Sequence, residues 1–235
     1  MNNTDNIIRL DDRLGAAASF VRENSVAADI GTDHAYLPIY LLQSGISKHA
    51  VASDINRGPL ERAKADAARY DMGDNLSFCL SDGLRNVDLD GLGVTDIIIC
   101  GMGGELIARI IDESEYARKP GVRLILQPMT AADDLRGYLD DAGFAVIDEK
   151  LASAAGKIYC CICAEYDGEK RTSSPAELLL GRKNIEKREA LFLDYAAGIL
   201  KKLNTKINGM KTGGLDCSAE EACRTEILKI TEDRS

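Results

Sequence analysis

The sequence predicts an α/β protein: a seven-stranded, mostly parallel sheet with helices on both faces, followed by a C-terminal helical hairpin. Three observations predict it. Short apolar or β-branched runs alternate with amphipathic helical patterns up to Tyr166, and a crossover helix is what returns a chain to the same end of a parallel sheet. The two central runs, TDIIIC (95–100) and RLILQP (123–128), are almost wholly apolar, as strands covered on both faces are. After Tyr166 the strand signals stop and apolar residues spaced by seven begin.

The elements follow in order. IIRLDDRLGAAASFV (7–21) has a helical pattern and leads into a strand, VAADI (26–30). LPIYLLQSG (37–45) is the first crossover helix, AVASDI (50–55) the second strand, GPLERAKADAARY (58–70) the next helix and LSFCLSD (76–82) the third strand. TDIIIC, helix GELIARIIDESE (104–115), RLILQP and helix AADDLRGYLDDAG (131–143) continue the alternation. FAVIDEK (144–150) and KIYCCICAEY (157–166) are separated by too little chain for a crossover, so the last two strands form an antiparallel hairpin. In KIYCCICAEY the alternation puts Cys161 and Cys163 on one face and Cys160 and Ile162 on the other.

DGEKRTSSP (167–175) is a polar linker, and Pro175 opens a long helix from Ala176 to about Asn208 with Leu178, Ile185, Phe192 and Ile199 on one stripe. GMKTGG breaks it, and a second helix runs from Asp216, an N-cap, to near Ile230. The expected organisation is therefore residues 1–166 as the sheet domain and 167–235 as the helical hairpin.

Composition narrows the function classes. The chain has 235 residues, 45% hydrophobic and 29% charged, enough for one sizeable core. No apolar run reaches the length of a membrane span, and MNNTDNIIRLDD lacks the order of a signal peptide, so a cytoplasmic protein is expected. Seven cysteines with only two histidines, and the one C-x-x-C spacing (Cys160 to Cys163) lying inside a strand pattern, predict buried thiols rather than a metal site or a disulfide framework. The net charge of −9 is uneven: residues 171–211 carry nine basic against four acidic side chains.

The chemistry-bearing residues fall at the C-terminal ends of successive strands, where open parallel sheets bind ligands. Asp29 and Asp33 flank Gly31 in DIGTDHAYL, Asp54 ends the second strand, Asp82 and Gly83 the third, Gly101-Met102-Gly103-Gly104 follow the fourth, and Gln127-Pro128 end the fifth. An acid at Asp54 suits the ribose of NAD and of S-adenosylmethionine equally. Asp33 at the turn repels a pyrophosphate, whereas the amino group and sulfonium of S-adenosylmethionine are cationic, so a methyl-donor pocket is the preferred expectation.

AADIGTDHAYLP, VASDINRGPL, SDGL, DIIICGMGGELI, LILQP and KIY, together with the C-terminal hairpin, resemble the bacterial tRNA (adenine-22-N1)-methyltransferases over nearly the whole chain. The resemblance implies a Rossmann-like class I methyltransferase domain with a coiled-coil hairpin, S-adenosylmethionine as cofactor, and tRNA as substrate for a monomer or weak dimer needing no metal and no membrane. By that likeness Asp29, Gly31, Asp33, Asp54, Asn56, Asp82 and Gly101 line the donor pocket, and Thr32, Ile55 and Gly83 are expected beside them. The chemistry of presenting a flat base makes His34, Tyr36, Gly101, Met102, Gly103, Gln127 and Pro128 the candidates around the adenine, with the basic hairpin on RNA phosphates. Two departures stand out: Asp11-Asp12 replace a usual Ser-Lys while Arg13 is kept, free to reach the donor carboxylate or to form a surface ion pair, and Met129 stands where Asn is usual. A methyltransferase for a small molecule or protein, an NAD-dependent oxidoreductase and a non-catalytic RNA-binding module remain as alternatives.

Overall fold

The computed structural model describes residues 7–232; residues 1–6 and 233–235, the outer ends of the two expected units, lie outside the described residues. The seven strands are β1 (Ser25–Ile30), β2 (Ser47–Asp54), β3 (Leu76–Leu80), β4 (Asp96–Gly103), β5 (Arg123–Thr130), β6 (Phe144–Ala154) and β7 (Lys157–Tyr166). They form one sheet in the order β3-β2-β1-β4-β5-β7-β6. β1 to β5 pair in parallel, and β7 is antiparallel to both β5 and β6. The strand order reverses between β1 and β4, which opens a crevice beyond their C-terminal ends.

β6 and β7 run through most of the expected connection and turn on Ala155 and Gly156 alone. Both have positive φ, 49° and 72°. That is the geometry a two-residue hairpin turn needs to match strand twist.

Among the described residues six α-helices precede the C-terminal region: α1 (Asp12–Ala18), α2 (Tyr36–Gln43), α3 (Arg57–Arg69), α4 (Leu89–Leu92), α5 (Gly104–Asp112) and α6 (Ala132–Ala142). α1 is shorter than its sequence pattern because Asp11 caps it, accepting from the Leu14 amide at 2.8 Å. α4 is a single turn without a sequence signal, capped by Asp88 on the Gly91 amide at 2.9 Å. Two apolar layers cover the sheet. Ile97, Ile99, Leu124 and Leu126 pack with Ile107, Ile111, Leu135 and Leu139 on one face; Ile98 and Ile125 pack with Ala17, Leu37, Ile39 and Leu41 on the other. Cys160 and Ile162 join the first layer and Cys161 and Cys163 the second, as alternation requires, and all seven thiols are free.

The single long helix expected from Ala176 to Asn208 is three helices: α7 (Pro175–Leu180), α8 (Arg182–Lys187) and α9 (Phe192–Thr212). The first break is at Gly181, with φ 86°, where a Cβ would run into the Glu149 carboxylate. Glu149 is fully buried and accepts from Arg136 Nε at 2.7 Å and from the Lys183 amide at 3.1 Å. Arg136 Nη1 donates to the Leu178 carbonyl at 2.6 Å. The carbonyl end of α7 thus faces the buried cation and the amide end of α8 faces the buried anion, each dipole matched to its charge. A buried pair left short of hydrogen bonds costs several kcal/mol, more than the few tenths per residue a continuous helix gains. The second break is at Arg188, φ 48°, whose guanidinium donates to the Ile230 carbonyl and lies 5.7 Å over Phe192.

α9 continues through GMKT, which the pattern assigned to the break, and stops at Gly213-Gly214. α10 (Ser218–Glu232) starts two residues after Asp216, whose carboxylate accepts from the Ser218 amide at 3.0 Å. The two helices pack antiparallel through Leu203, Ile207, Cys223 and Ile227, with Lys206–Glu220 at 2.8 Å and Lys211–Glu221 at 2.6 Å across the seam. Ala176, Leu180, Phe192 and Ile227 share an apolar cluster with β5, so the helices extend the sheet's own core. No helix among the described residues is long and apolar enough to cross a membrane.

Candidate active site

The turn after β1 is tied to β2. Gly31, φ 82°, and Thr32 both donate their amides to the Ser53 carbonyl, at 2.8 and 2.9 Å. Two donors that could otherwise cradle a pyrophosphate are therefore consumed inside the sheet, and α2 begins only at Tyr36. A Cβ at Gly31 would strike the Met102 methyl.

Asp29 lies beneath this turn, 8% exposed. Burial pushes its carboxyl up to about 6, against the opposing hydrogen bond from Thr32, and the Asp54 charge adds to the rise. Asp54 ends β2 and accepts from the Asn56 amide at 2.7 Å, beside exposed Ile55. Asp82 follows β3, with Gly83 in a left-handed turn packed on Ile110.

The four acids are not equivalent. Asp33 holds Arg62, Nε to Oδ1 3.1 Å. Asp82 is 3.3 Å from Arg85 and 3.5 Å from Arg109, and both arginines also approach Glu113. Asp29 and Asp54 have no cationic partner among the described residues, so the negative character expected along the whole rim is concentrated on these two. The arginines carry no sequence signal; Arg62 meets Asp33 only because α3 docks beside the turn.

On the other side of the crevice, β4 runs on through Gly101, Met102 and Gly103 with shifted register, and α5 starts directly at Gly104. Gly101 has φ 81°. Gly104 serves packing: a Cβ there would meet the Ala131 carbonyl at the start of α6. Gln127 is fully buried. Its Oε1 accepts from Arg13 Nη1 at 2.7 Å and from the Gly101 amide at 3.2 Å, and its Nε2 donates to the Pro128 carbonyl at 2.9 Å. The amide is committed on both ends to shaping the bulge, and Arg13 is engaged with it and with Asp11 at 3.6 Å. Pro128 is buried and Met129 exposed at the strand end.

His34 and Tyr36 stack, centroids 5.0 Å apart at 22°, with Ala35 between them at φ 54°. His34 Nδ1 is 2.8 Å from Asp66 on α3, a residue that sequence reasoning missed because it sits unremarked in a helical repeat. Cys100 is half-buried, and desolvation holds its thiol far above the ordinary range, which removes it as a nucleophile. A separate cavity of about 290 Å³ lies between Leu84, Asp88, Ile110 and Tyr116, and none of the strand-end glycines or acids lines it. Among the described residues no three His, Cys, Asp or Glu side chains are grouped as metal ligands.

This end of the sheet thus carries two carboxylates without a cationic partner among the described residues, a phosphate-averse turn, a glycine bulge and an exposed aromatic side chain. A methyltransferase-domain family model matches residues 10–162. The chain is 35% identical over 196 residues to the tRNA (adenine(22)-N(1))-methyltransferase of Bacillus subtilis (strain 168), covering 80% of each. The crystal structure of the B. subtilis m1A22 tRNA methyltransferase TrmK superposes with TM-score 0.79 at 29% identity, covering 96% of this chain and 97% of that one. Streptococcus pneumoniae Sp1610, solved with S-adenosyl-L-methionine, superposes with TM-score 0.82 at 30% identity, covering 94% and 100%. On this combination of fold, crevice and sequence, the chain belongs to the tRNA (adenine(22)-N(1))-methyltransferase family.

Proposed function

We propose that the protein transfers a methyl group from S-adenosylmethionine to N1 of adenine 22 in tRNA, in the cytoplasm. The observation that carries the donor side is the pair Asp29 and Asp54 with no cation of their own, beside a turn whose amides are spent on Ser53. Such a site accepts a cationic nucleoside and disfavours a dinucleotide. Asp29, Thr32, Asp33 and Gly31 would hold the amino-acid end of the donor, Asp54, Ile55 and Asn56 the ribose, and Asp82 with Gly83 the adenine. S-adenosylmethionine, when bound, supplies an electrophilic methyl on a sulfonium.

The chain's own residues have a modest chemical task. Adenine N1 carries an unprotonated lone pair near neutral pH, so no general base has to act on it first, and orientation supplies most of the rate. The base is paired or stacked within tRNA and has to be extruded. Tyr36, 41% exposed at the lip, offers a ring face, and Gly101 to Gly103 let a flat base approach backbone. Gln127 and Arg13 keep that bulge in shape.

Residues 167–235 would contact RNA backbone, through fewer cations than the charge count suggests. Lys183 pairs with Glu186, and Lys187 with Asp148 and Glu189, while Lys201 and Lys202 are exposed and form no ion pair among the described residues. The test is labelled methyl transfer to an unmodified tRNA transcript and to one with guanine at position 22. Label in the first alone is expected; equal label in both, or none, overturns the proposal.

A further inference from the structure

We infer that Asp66 is a positioning residue for the acceptor base: through His34 it sets the plane of the Tyr36 ring on which the extruded adenine stacks. The inference rests on the methyl-transfer proposal above and deepens it.

Asp66 lies on the inner face of α3 and is 9% exposed, well buried for a carboxylate. One oxygen, Oδ2, is 2.8 Å from His34 Nδ1. The other is 3.1 Å from Arg69, whose side chain is mostly in solvent and so contributes little as a partner. The histidine is the principal partner of this desolvated charge.

One edge of the imidazole is held: Nδ1 faces Asp66, while Nε2 lies 3.7 Å from Asp33, beyond hydrogen-bond reach. The Asp66 bond sets the ring's direction, and Tyr36 lies on one of its faces. Residues two apart stack here because Ala35 between them adopts a left-handed conformation, unfavourable for alanine and held by its amide on Thr32 Oγ1 at 3.1 Å. Strain kept at the mouth of a crevice is expected where geometry matters to function. The Tyr36 hydroxyl makes no hydrogen bond among the described residues, so the stack on His34 is what orients the ring. Its ring is exposed, at the end of the sheet where β1 and its parallel neighbour β4 finish, and sequence-tolerant stacking on such a face is how proteins hold extruded bases.

The chain of contact runs Asp66 to His34 to Tyr36. Asp66 touches neither donor nor base. A role limited to pinning the β1–α2 loop to α3 would make its loss costly in stability and in donor binding alike; a positioning role separates the acceptor from the donor.

The experiment measures kcat and KM on tRNA, adenosylhomocysteine affinity and Tm for Asp66→Ala, Asp66→Asn, His34→Ala and the double Asp66→Ala/His34→Ala. Asp66→Ala is expected to lower kcat/KM on tRNA by about ten-fold while adenosylhomocysteine affinity stays within about two-fold. Asp66→Asn, whose amide oxygen still accepts from Nδ1–H, recovers most of the loss. The double variant is expected to be no slower than His34→Ala alone. Multiplying defects in the double variant, or a loss of adenosylhomocysteine affinity matching the loss of rate, overturns the inference. A wild type that leaves adenine 22 unmethylated overturns the functional proposal and this inference with it; an active wild type with an unchanged Asp66→Ala overturns this inference alone.

Discussion

The methyl of Met102 rests on Gly31, joining the ends of neighbouring strands β4 and β1 at the crevice. Residue 31 is doubly constrained, by that contact and by φ 82°. Gly31→Ala is expected to cost on the order of 1–3 kcal/mol of stability. It is also expected to weaken adenosylhomocysteine binding by about ten-fold or more, read by calorimetry beside a thermal melt.

Asp29 opposes folding where it favours the ligand. Its carboxyl is raised to about 6 from an ordinary 3.8, chiefly by burial, so the folded state holds that proton more tightly than the unfolded chain does. The resulting penalty is fully present above pH 6 and fades as pH falls from 6 towards 3.8. Asp29→Asn is therefore expected to stabilise the protein by on the order of 1–3 kcal/mol at pH 7.5, with the difference vanishing near pH 4. Denaturant titrations across that range check it. The same variant is expected to bind adenosylhomocysteine more weakly, and wild-type affinity is expected to fall as pH drops through 6.

Much of this geometry was legible in the sequence because strand alternation is local. DIGTD, ASD and CLSD each place an acid just past an apolar run, and the topology then brings those ends together. The final hairpin was legible for the same reason, since so short a connection leaves room for nothing else. The broken C-terminal helix was not. Arg136 sits in DDLRGY and Glu149 in IDEK, where both look like solvent-facing charges; only the packing of α6 against β6 buries them together and makes Gly181 a break. Of the seven-residue stripe, Ile185, Phe192 and Ile199 still reach the shared core across the breaks, whereas α7 turns Ala176, Leu179 and Leu180 to it in place of Leu178. Arg62 on Asp33, and Asp66 under His34, depend likewise on where α3 docks.

That buried pair makes a sharp test of the joint between sheet and helices. Glu149→Leu strands Arg136 and is expected to cost about 3–5 kcal/mol, while Arg136→Leu/Glu149→Leu together recover most of it. Equal destabilisation in the single and double variants would show that the pair does not act as a unit.

The phosphate-contacting cations can be separated from the structural ones. Lys201→Glu/Lys202→Glu is expected to weaken tRNA binding and lower its salt slope by about 2, with adenosylhomocysteine affinity and Tm unchanged. Lys187→Glu, which faces Asp148 and Glu189, is expected instead to lower Tm. Filter binding at several salt concentrations reads the first, and a thermal melt the second.

The most direct measurement is mass mapping of nucleosides in unmodified tRNA after incubation with the protein and S-adenosylmethionine. One added methyl, on N1 of adenine 22, is the predicted result. An unmodified tRNA, or a methyl at any other nucleotide, would contradict the account.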